Sequence, residues 1–247
     1  MNTIVNQIIE TVKECGQYIL NVDRNKMEID SKEGPANFVT EHDKKVQDML
    51  EEKLLKIVPD AVFVGEEESA NKVSGSGKYF VVDPIDGTTN FIKDYHMSCI
   101  SVALIEHEQV QIGVIYNPYL DEVYWAKRGE GAYCGDEKIE VSKQPLSNGI
   151  VLFGSSPYNE ELHEQSFEMA FRYFKQALDI RRSGSAALDL CAIAAGRAEL
   201  YFELRLSPWD YAAGSLIVEE AGGIVTTVEG EKISLDRPCS ILAKNQL

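Results

Sequence analysis

The chain has 247 residues, 44% of them hydrophobic, and a formal net charge of −16. That is enough apolar material for a sizeable core, which excludes a disordered or fibrous chain. It is also enough negative charge to repel a phosphate backbone, so no nucleic-acid groove is expected.

Residues 2–22 space Ile4, Ile8, Ile9, Val12 and Cys15 at helical intervals, which predicts an amphipathic helix. The first residues carry no basic region and acid follows at Glu10 and Glu14, unlike a secretory leader, and the longest apolar stretches, such as Cys99 to Ile105, fall far short of the roughly 20 residues that cross a bilayer. A cytoplasmic protein without membrane contact is expected. Five scattered cysteines with no C-x-x-C pair indicate neither a disulfide framework nor a thiolate zinc site. Gly34, Pro35 and Asn37 predict a loop over 32–40, and a second helix follows from about Glu41 to Ile57. From Ala61 the runs AVFVG, KYFVVD, SCISVALI, VQIGVIYN and EVYWAKRG predict a mostly antiparallel sheet. Beyond Ser147 strands and helices alternate: GIVLFGS, ELHEQSFEMAFRYFKQA, DIRRSG, SAALDLCAIAAG, AELYFEL, PWDYAAGSLIVEEAGG and IVTTV. This order predicts an N-terminal α+β half over 1–146 and a C-terminal α/β half over 147–247, which meet along one cleft.

Three segments carry chemistry. In YFVVDPIDGTTNF (Tyr79 to Phe91) a strand runs into Asp83 and Asp86, followed by Gly87, Thr88, Thr89 and Asn90. A plain Asx-type turn is one reading. The other is a metal site, because two converging carboxylates repel unless a proton or cation sits between them, and all-oxygen donors suit Mg²⁺, Mn²⁺ or Ca²⁺. The residues after Gly87 would open a short helix toward a phosphate. The segment VGEEES (Val64 to Ser69) is either a solvated acidic face or a source of one more ligand, since it follows a strand directly. In LSPWDYAAG, Asp210 falls in the first turn of a helix, where it either complements the helix dipole or joins the other acids. GSGKY at 75–79 lacks the spacing of a nucleotide-binding loop and is a turn.

Taken together, these segments resemble the inositol monophosphatase family of metal-dependent, lithium-sensitive sugar phosphatases. The resemblance rests on DPIDGTTNF at Asp83 to Phe91 and PWDYAAGSLIVEEAGG at Pro208 to Gly223, with GEE at Gly65 to Glu67 and NFVTEHD ending at Asp43. It implies an α/β layered αβαβα sandwich and a phosphoric monoester hydrolase that uses water directly, without a phosphoenzyme. It implies Glu67, Asp83 and the Ile85 carbonyl as ligands of one Mg²⁺, and Asp83, Asp86 and Asp210 as ligands of a second. Two or three Mg²⁺ ions are implied, with Mn²⁺ able to substitute and Ca²⁺ or Li⁺ inhibitory.

Asp43, Thr88, Glu67 and Lys32 are the implied catalytic set, with Thr88 and Asp43 activating water and Lys32 approaching on the 32–40 loop. Gly87, Thr88, Ser185, Ala186, Glu203 and Arg205 are the implied substrate contacts. Glu68 competes with Glu67 for the ligand role, and counting from Gly65 favours Glu67. Arg205 stands where many inositol-specific members have glycine, and with Arg181 and Arg182 it could read a second phosphate. The implied substrate is a small phosphorylated metabolite, inositol 1-phosphate or a related sugar phosphate, and the implied assembly is a homodimer. Alternatives are an NADP or 3′-phosphoadenosine 5′-phosphate phosphatase, a fructose-1,6-bisphosphatase, or a non-catalytic metal-binding regulatory protein on the same fold.

Overall fold

The computed structural model describes residues 3–24, 27, 29–31, 38–67 and 71–247. Lys32, most of the loop around it, and Glu68 lie outside the described residues.

Helix α1 (Thr3–Leu20) buries Val5, Ile8, Val12, Cys15 and Ile19 along one stripe. Strands β1 (Ile29–Ser31) and β2 (Phe38–Thr40) pair antiparallel. Residues 38–40 are therefore strand, where the sequence suggested loop; Val39 and Thr40 are β-branched and sit beyond the Gly, Pro and Asn that break the segment. Helix α2 (Glu41–Ile57) starts where expected because Thr40 caps it. The Thr40 hydroxyl accepts from the His42 and Asp43 amides, and the Asp43 carboxylate accepts from the Thr40 amide. Such a cap contributes about 1 kcal/mol.

Strands β3 (Ala61–Gly65), β4 (Lys78–Asp86), β5 (Cys99–Glu106), β6 (Gln109–Asn117), β7 (Glu122–Lys127), β8 (Ala132–Cys134) and β9 (Glu137–Ile139) form a seven-stranded sheet in chain order. Only the β3–β4 pair is parallel. The short helix α3 (Thr88–Ile92) leaves the end of β4. A second, five-stranded sheet takes β10 (Ile150–Phe153), β11 (Asp179–Arg181), β12 (Leu200–Leu206), β13 (Ile224–Thr226) and β14 (Cys239–Lys244) in the order β11-β10-β12-β14-β13.

Helices α5 (Ala186–Ala194) and α6 (Pro208–Glu220) are apolar nearly all round and lie between the two sheets, in a core that takes Val81 and Ala103 from one and Tyr201 and Ile241 from the other. Helices α1 and α2 cover the outer face of the seven-stranded sheet through Phe80, Val102 and Val114. Helix α4 (His163–Phe174) covers the outer face of the five-stranded one through Met169 and Ala170 against Val151 and Phe202. Five layers, αβαβα, result. No helix among the described residues is long and apolar enough to cross a membrane.

Candidate metal and phosphate site

Asp83 and Asp86 end β4. Residues three apart on a regular strand face opposite ways. Here the ladder to β5 slips, so that Asp83 pairs with Ser101 and Asp86 with Cys99, three steps on β4 against two on β5. The bulge falls at Pro84, which has no N–H to give the ladder, and it turns both carboxylates into one cavity. Asp210, in the first turn of α6, comes from the other half of the core and is held by the Ser207 amide at 2.7 Å. Oxygens of Asp83, Asp86 and Asp210 lie within 4.8 Å of one another.

Burial and mutual repulsion raise all three acids. Asp83 and Asp210 stand well above the usual carboxylate range. Asp86 rises only to about 6, because the Ser185 hydroxyl, at 2.5 Å, and the Ala187 amide, at 2.8 Å, hold its charged form. A buried all-oxygen donor set that cannot ionise alone fits hard divalent cations.

The fourth acid is Glu66, not Glu67. Glu66 lines the cavity, and its charge is among the causes that raise Asp83, Asp86 and Asp210. The Glu66 amide continues the β3–β4 pairing by donating to the Val82 carbonyl at 3.1 Å. Strand alternation therefore puts Glu66 on the face of Val64, toward α6, and Glu67 on the opposite face with Phe63 and Gly65. There the Gln47 side chain of α2 clamps the Glu67 peptide, accepting from its amide at 2.8 Å and donating to its carbonyl at 2.5 Å. The period of two starting at Val64 was the signal in the sequence; counting along the motif from Gly65 missed it.

Gly87 links β4 to α3 with φ +85°, a left-handed conformation open to glycine, and an added Cβ would lie 2.9 Å from the Met97 carbonyl oxygen. The turn points Thr88 at Asp43: the Thr88 hydroxyl lies 3.3 Å from Asp43 Oδ1 and 3.2 Å from the Ile85 carbonyl. Asp43 is 1% exposed, and its other oxygen accepts from the Thr40 hydroxyl at 2.5 Å and amide at 2.8 Å, so it is fixed against rotation. Ile85, Gly87, Thr88, Ser185 and Ala186 all line the cavity, which has a volume of about 340 Å³.

At the cavity's other end stands Glu203, with one oxygen held by the Ser156 amide at 2.8 Å and the other by the Tyr201 hydroxyl at 2.9 Å. Burial lifts it to about 6. Gly154 makes room for it, since a Cβ there would lie 1.9 Å from its carboxylate.

Arg205 does not share this end. The β12–β14 register slips between Glu203 and Leu206, so the strand alternation that would align residues 203 and 205 fails. Arg205 is exposed, and Leu206 lines the cavity in its place. Arg181 pairs with Asp179 at 2.5 Å. Arg182 does reach the cavity, along with Tyr158 and the buried Asp189, neither of which the sequence singled out.

With this geometry in place, similarity to known proteins is informative. A family model described as the inositol monophosphatase family matches residues 1–247. The chain is 37% identical to an inositol-1-monophosphatase of Mesorhizobium japonicum, over 88% of this chain and 82% of that one. It is 35% identical to the Nus factor SuhB of Vibrio cholerae, over 93% and 87%. Among solved structures it matches the extragenic suppressor protein suhB of Bartonella henselae with TM-score 0.90 and 32% identity, covering 99% of this chain and 95% of that one. An IMPase/NADP phosphatase complexed with Mg²⁺ and phosphate matches with TM-score 0.86 and 25% identity, over 97% and 89%.

Proposed function

The chain belongs to the inositol monophosphatase family, and we propose from that premise that its cavity hydrolyses a phosphate monoester of a small alcohol, inositol 1-phosphate or a related sugar phosphate, with Mg²⁺. The observation that carries the reading is the meeting of Glu66, Asp83, Asp86 and Asp210 on one cavity beside the Thr88–Asp43 pair. A metal-binding protein needs the four acids, and Asp43 also caps α2; the Thr88 hydroxyl aimed at the other Asp43 oxygen is the feature that chemistry on water adds.

Glu66, Asp83 and the Ile85 carbonyl would hold one divalent cation, and Asp83, Asp86 and Asp210 a second. When bound, the cations neutralise the ester, acidify a water and stabilise the leaving oxygen. Thr88 orients that water as an acceptor while its own proton points to Asp43, and Asp43 takes the proton released. The Gly87 and Thr88 amides face the phosphate oxygens as the opening of α3. Ser185 spends its hydroxyl on Asp86 and so sets the ligand's direction rather than gripping substrate. Glu203 accepts a hydroxyl of the alcohol. A homodimer of two-halved chains in the cytoplasm accompanies this reading.

Relatives that carry the name Nus factor favour a second, regulatory reading on the same fold. Phosphate release separates the two. With inositol 1-phosphate, NADP, 3′-phosphoadenosine 5′-phosphate and fructose 1,6-bisphosphate as substrates, the phosphatase reading expects turnover of at least one, abolished by chelator and restored by Mg²⁺. Metal binding without release from any ester would leave the regulatory reading standing.

A further inference from the structure

Strand β3 is an edge of the seven-stranded sheet, with β4 on one side. An edge strand leaves the N–H and C=O groups of alternate residues without a ladder partner. Past the end of β3 the Glu66 amide still turns to β4 and donates to Val82, so the Glu67 amide and carbonyl turn the other way, toward the open edge. The Gln47 side chain meets both groups there, as a neighbouring strand would. The two peptide groups that flank the Glu66 Cα are therefore held from opposite sides, one by β4 and the next by Gln47. Gln47 and Glu67 are 9% and 4% exposed, so water does not compete for these bonds. Gly65 makes the approach possible, since a Cβ there would lie 2.1 Å from Gln47 Oε1. Gln47 also stands one helical turn after Asp43, both buried on α2, and Asp43 meets the Thr88 hydroxyl.

We propose that Gln47 is a positioning residue for the cation site: by holding the Glu67 peptide it sets the backbone of Glu66, aims that carboxylate into the cavity, and ties it to the helix that carries Asp43. It rests on the assignment of Glu66 as a cation ligand. A carboxylate on a chain that is leaving its sheet can swing away by rotation about its own φ and ψ. Holding the peptides on both sides removes that freedom before the cation arrives. Without Gln47, the cost of ordering Glu66 would be drawn from the binding free energy of the cation. A neutral amide suits the position, because one Glu67 group donates and the other accepts, and an amide offers one acceptor and one donor side by side. An apolar side chain of similar size would leave both groups unanswered. Because α2 carries Gln47 and Asp43 together, a shift of the helix moves the acid ligand and the proton acceptor as one, and their separation is kept.

Calorimetry with Mg²⁺ alone, on the native protein, Gln47→Leu and Gly65→Ala, reads the dissociation constant of the site that Glu66→Gln weakens. Gln47→Leu removes both bonds, and Gly65→Ala pushes the same side chain off the strand from the other side. Each should weaken that site about tenfold or more, the usual cost of removing a group that orients a metal ligand. Added to Glu66→Gln, Gln47→Leu should weaken it by less than about twofold further, since the clamp acts through the acid already neutralised. A side chain that merely stabilises the fold would lower Tm in chelator and leave the Mg²⁺ constant of the folded protein where it was. If Gln47→Leu does not fold, Gly65→Ala alone and combined with Glu66→Gln gives the same two readings. An unchanged constant in the folded variants, losses that add in full in the double variant, or a Glu66→Gln protein that weakens no site overturns the proposal. Weaker Mg²⁺ binding routed through Glu66, with no phosphate released from any ester, sustains the clamp and removes the catalytic reading. Hydrolysis by the native protein, with the Mg²⁺ constant unmoved in the Gln47 and Gly65 variants, overturns the clamp and leaves the phosphatase intact.

Discussion

Replacing Glu66 with glutamine should change stability in opposite directions with and without metal. In the metal-free protein four carboxylates face one another, and Asp86 alone, displaced from 3.8 to about 6, represents a penalty of about 3 kcal/mol at neutral pH. An acid raised in the folded state weakens the fold as pH passes its ordinary value, and the penalty is complete above the raised one. At pH 7.5 Asp86 therefore contributes its full cost. Glu66 is one of the charges responsible, and it acts on Asp83 and Asp210 too. Its removal should relieve on the order of 1–2 kcal/mol, about 2–6 °C in Tm for a chain of this size. With Mg²⁺ the same change removes a ligand charge and should weaken binding about 10- to 100-fold, which cancels about 1.4–2.8 kcal/mol of the metal's stabilisation. Thermal unfolding of the native protein, Glu66→Gln and Glu67→Gln in chelator and across a Mg²⁺ titration reads both effects. If Glu67→Gln showed the inversion and Glu66→Gln did not, the assignment of the strand faces would be refuted.

Thr88→Ala leaves every proposed metal ligand in place, so the Mg²⁺-induced rise in Tm should persist while kcat falls by about 10²–10⁴; native turnover at saturating metal would remove the Thr88–Asp43 pair from the mechanism. Glu203, raised to about 6 by burial, is mostly ionised at pH 7 and protonates as pH drops through 6. KM for inositol 1-phosphate should then rise relative to that for p-nitrophenyl phosphate, and a flat ratio between pH 5 and 7.5 would contradict its role as acceptor. Gly154→Ala places a methyl 1.9 Å from the Glu203 carboxylate and should cost about 1–3 kcal/mol along with a raised KM; calorimetric unfolding and steady-state kinetics check both.

Much of this architecture was legible from the residues. Helix α2 starts at Glu41 because Thr40 and Asp43 form a reciprocal cap that is visible as T-x-x-D. Asp83 and Asp86 could be read because they close an apolar strand that had to end at the sheet edge, whereas Asp210 joined them only through the resemblance of PWDYAAGSLIVEEAGG to the family signature. Failures came where alternation was misjudged. At Glu66 and Glu67 strand β3 continues one residue past its apparent end, so its period of two decides which acid faces inward. At Arg205 a bulge cancels the same period. Bulges arise from how neighbouring strands pair, and one strand's sequence does not record its partner's register. Asp189 escaped notice for a related reason: α5 is apolar nearly all round, so no hydrophobic stripe marks which residue of its first turn borders a cavity.

The central claim, that four acids hold divalent cations at a phosphate site, is tested most directly by crystals grown with Mn²⁺, which takes the same oxygen ligands and scatters anomalously, and inorganic phosphate. The account predicts an anomalous peak bounded by carboxylates of Glu66, Asp83, Asp86 and Asp210, with phosphate beside it on the Thr88 side. A cluster without an anomalous peak, a Glu67 carboxylate in place of Glu66, or phosphate bound away from Gly87 and Thr88 would contradict it.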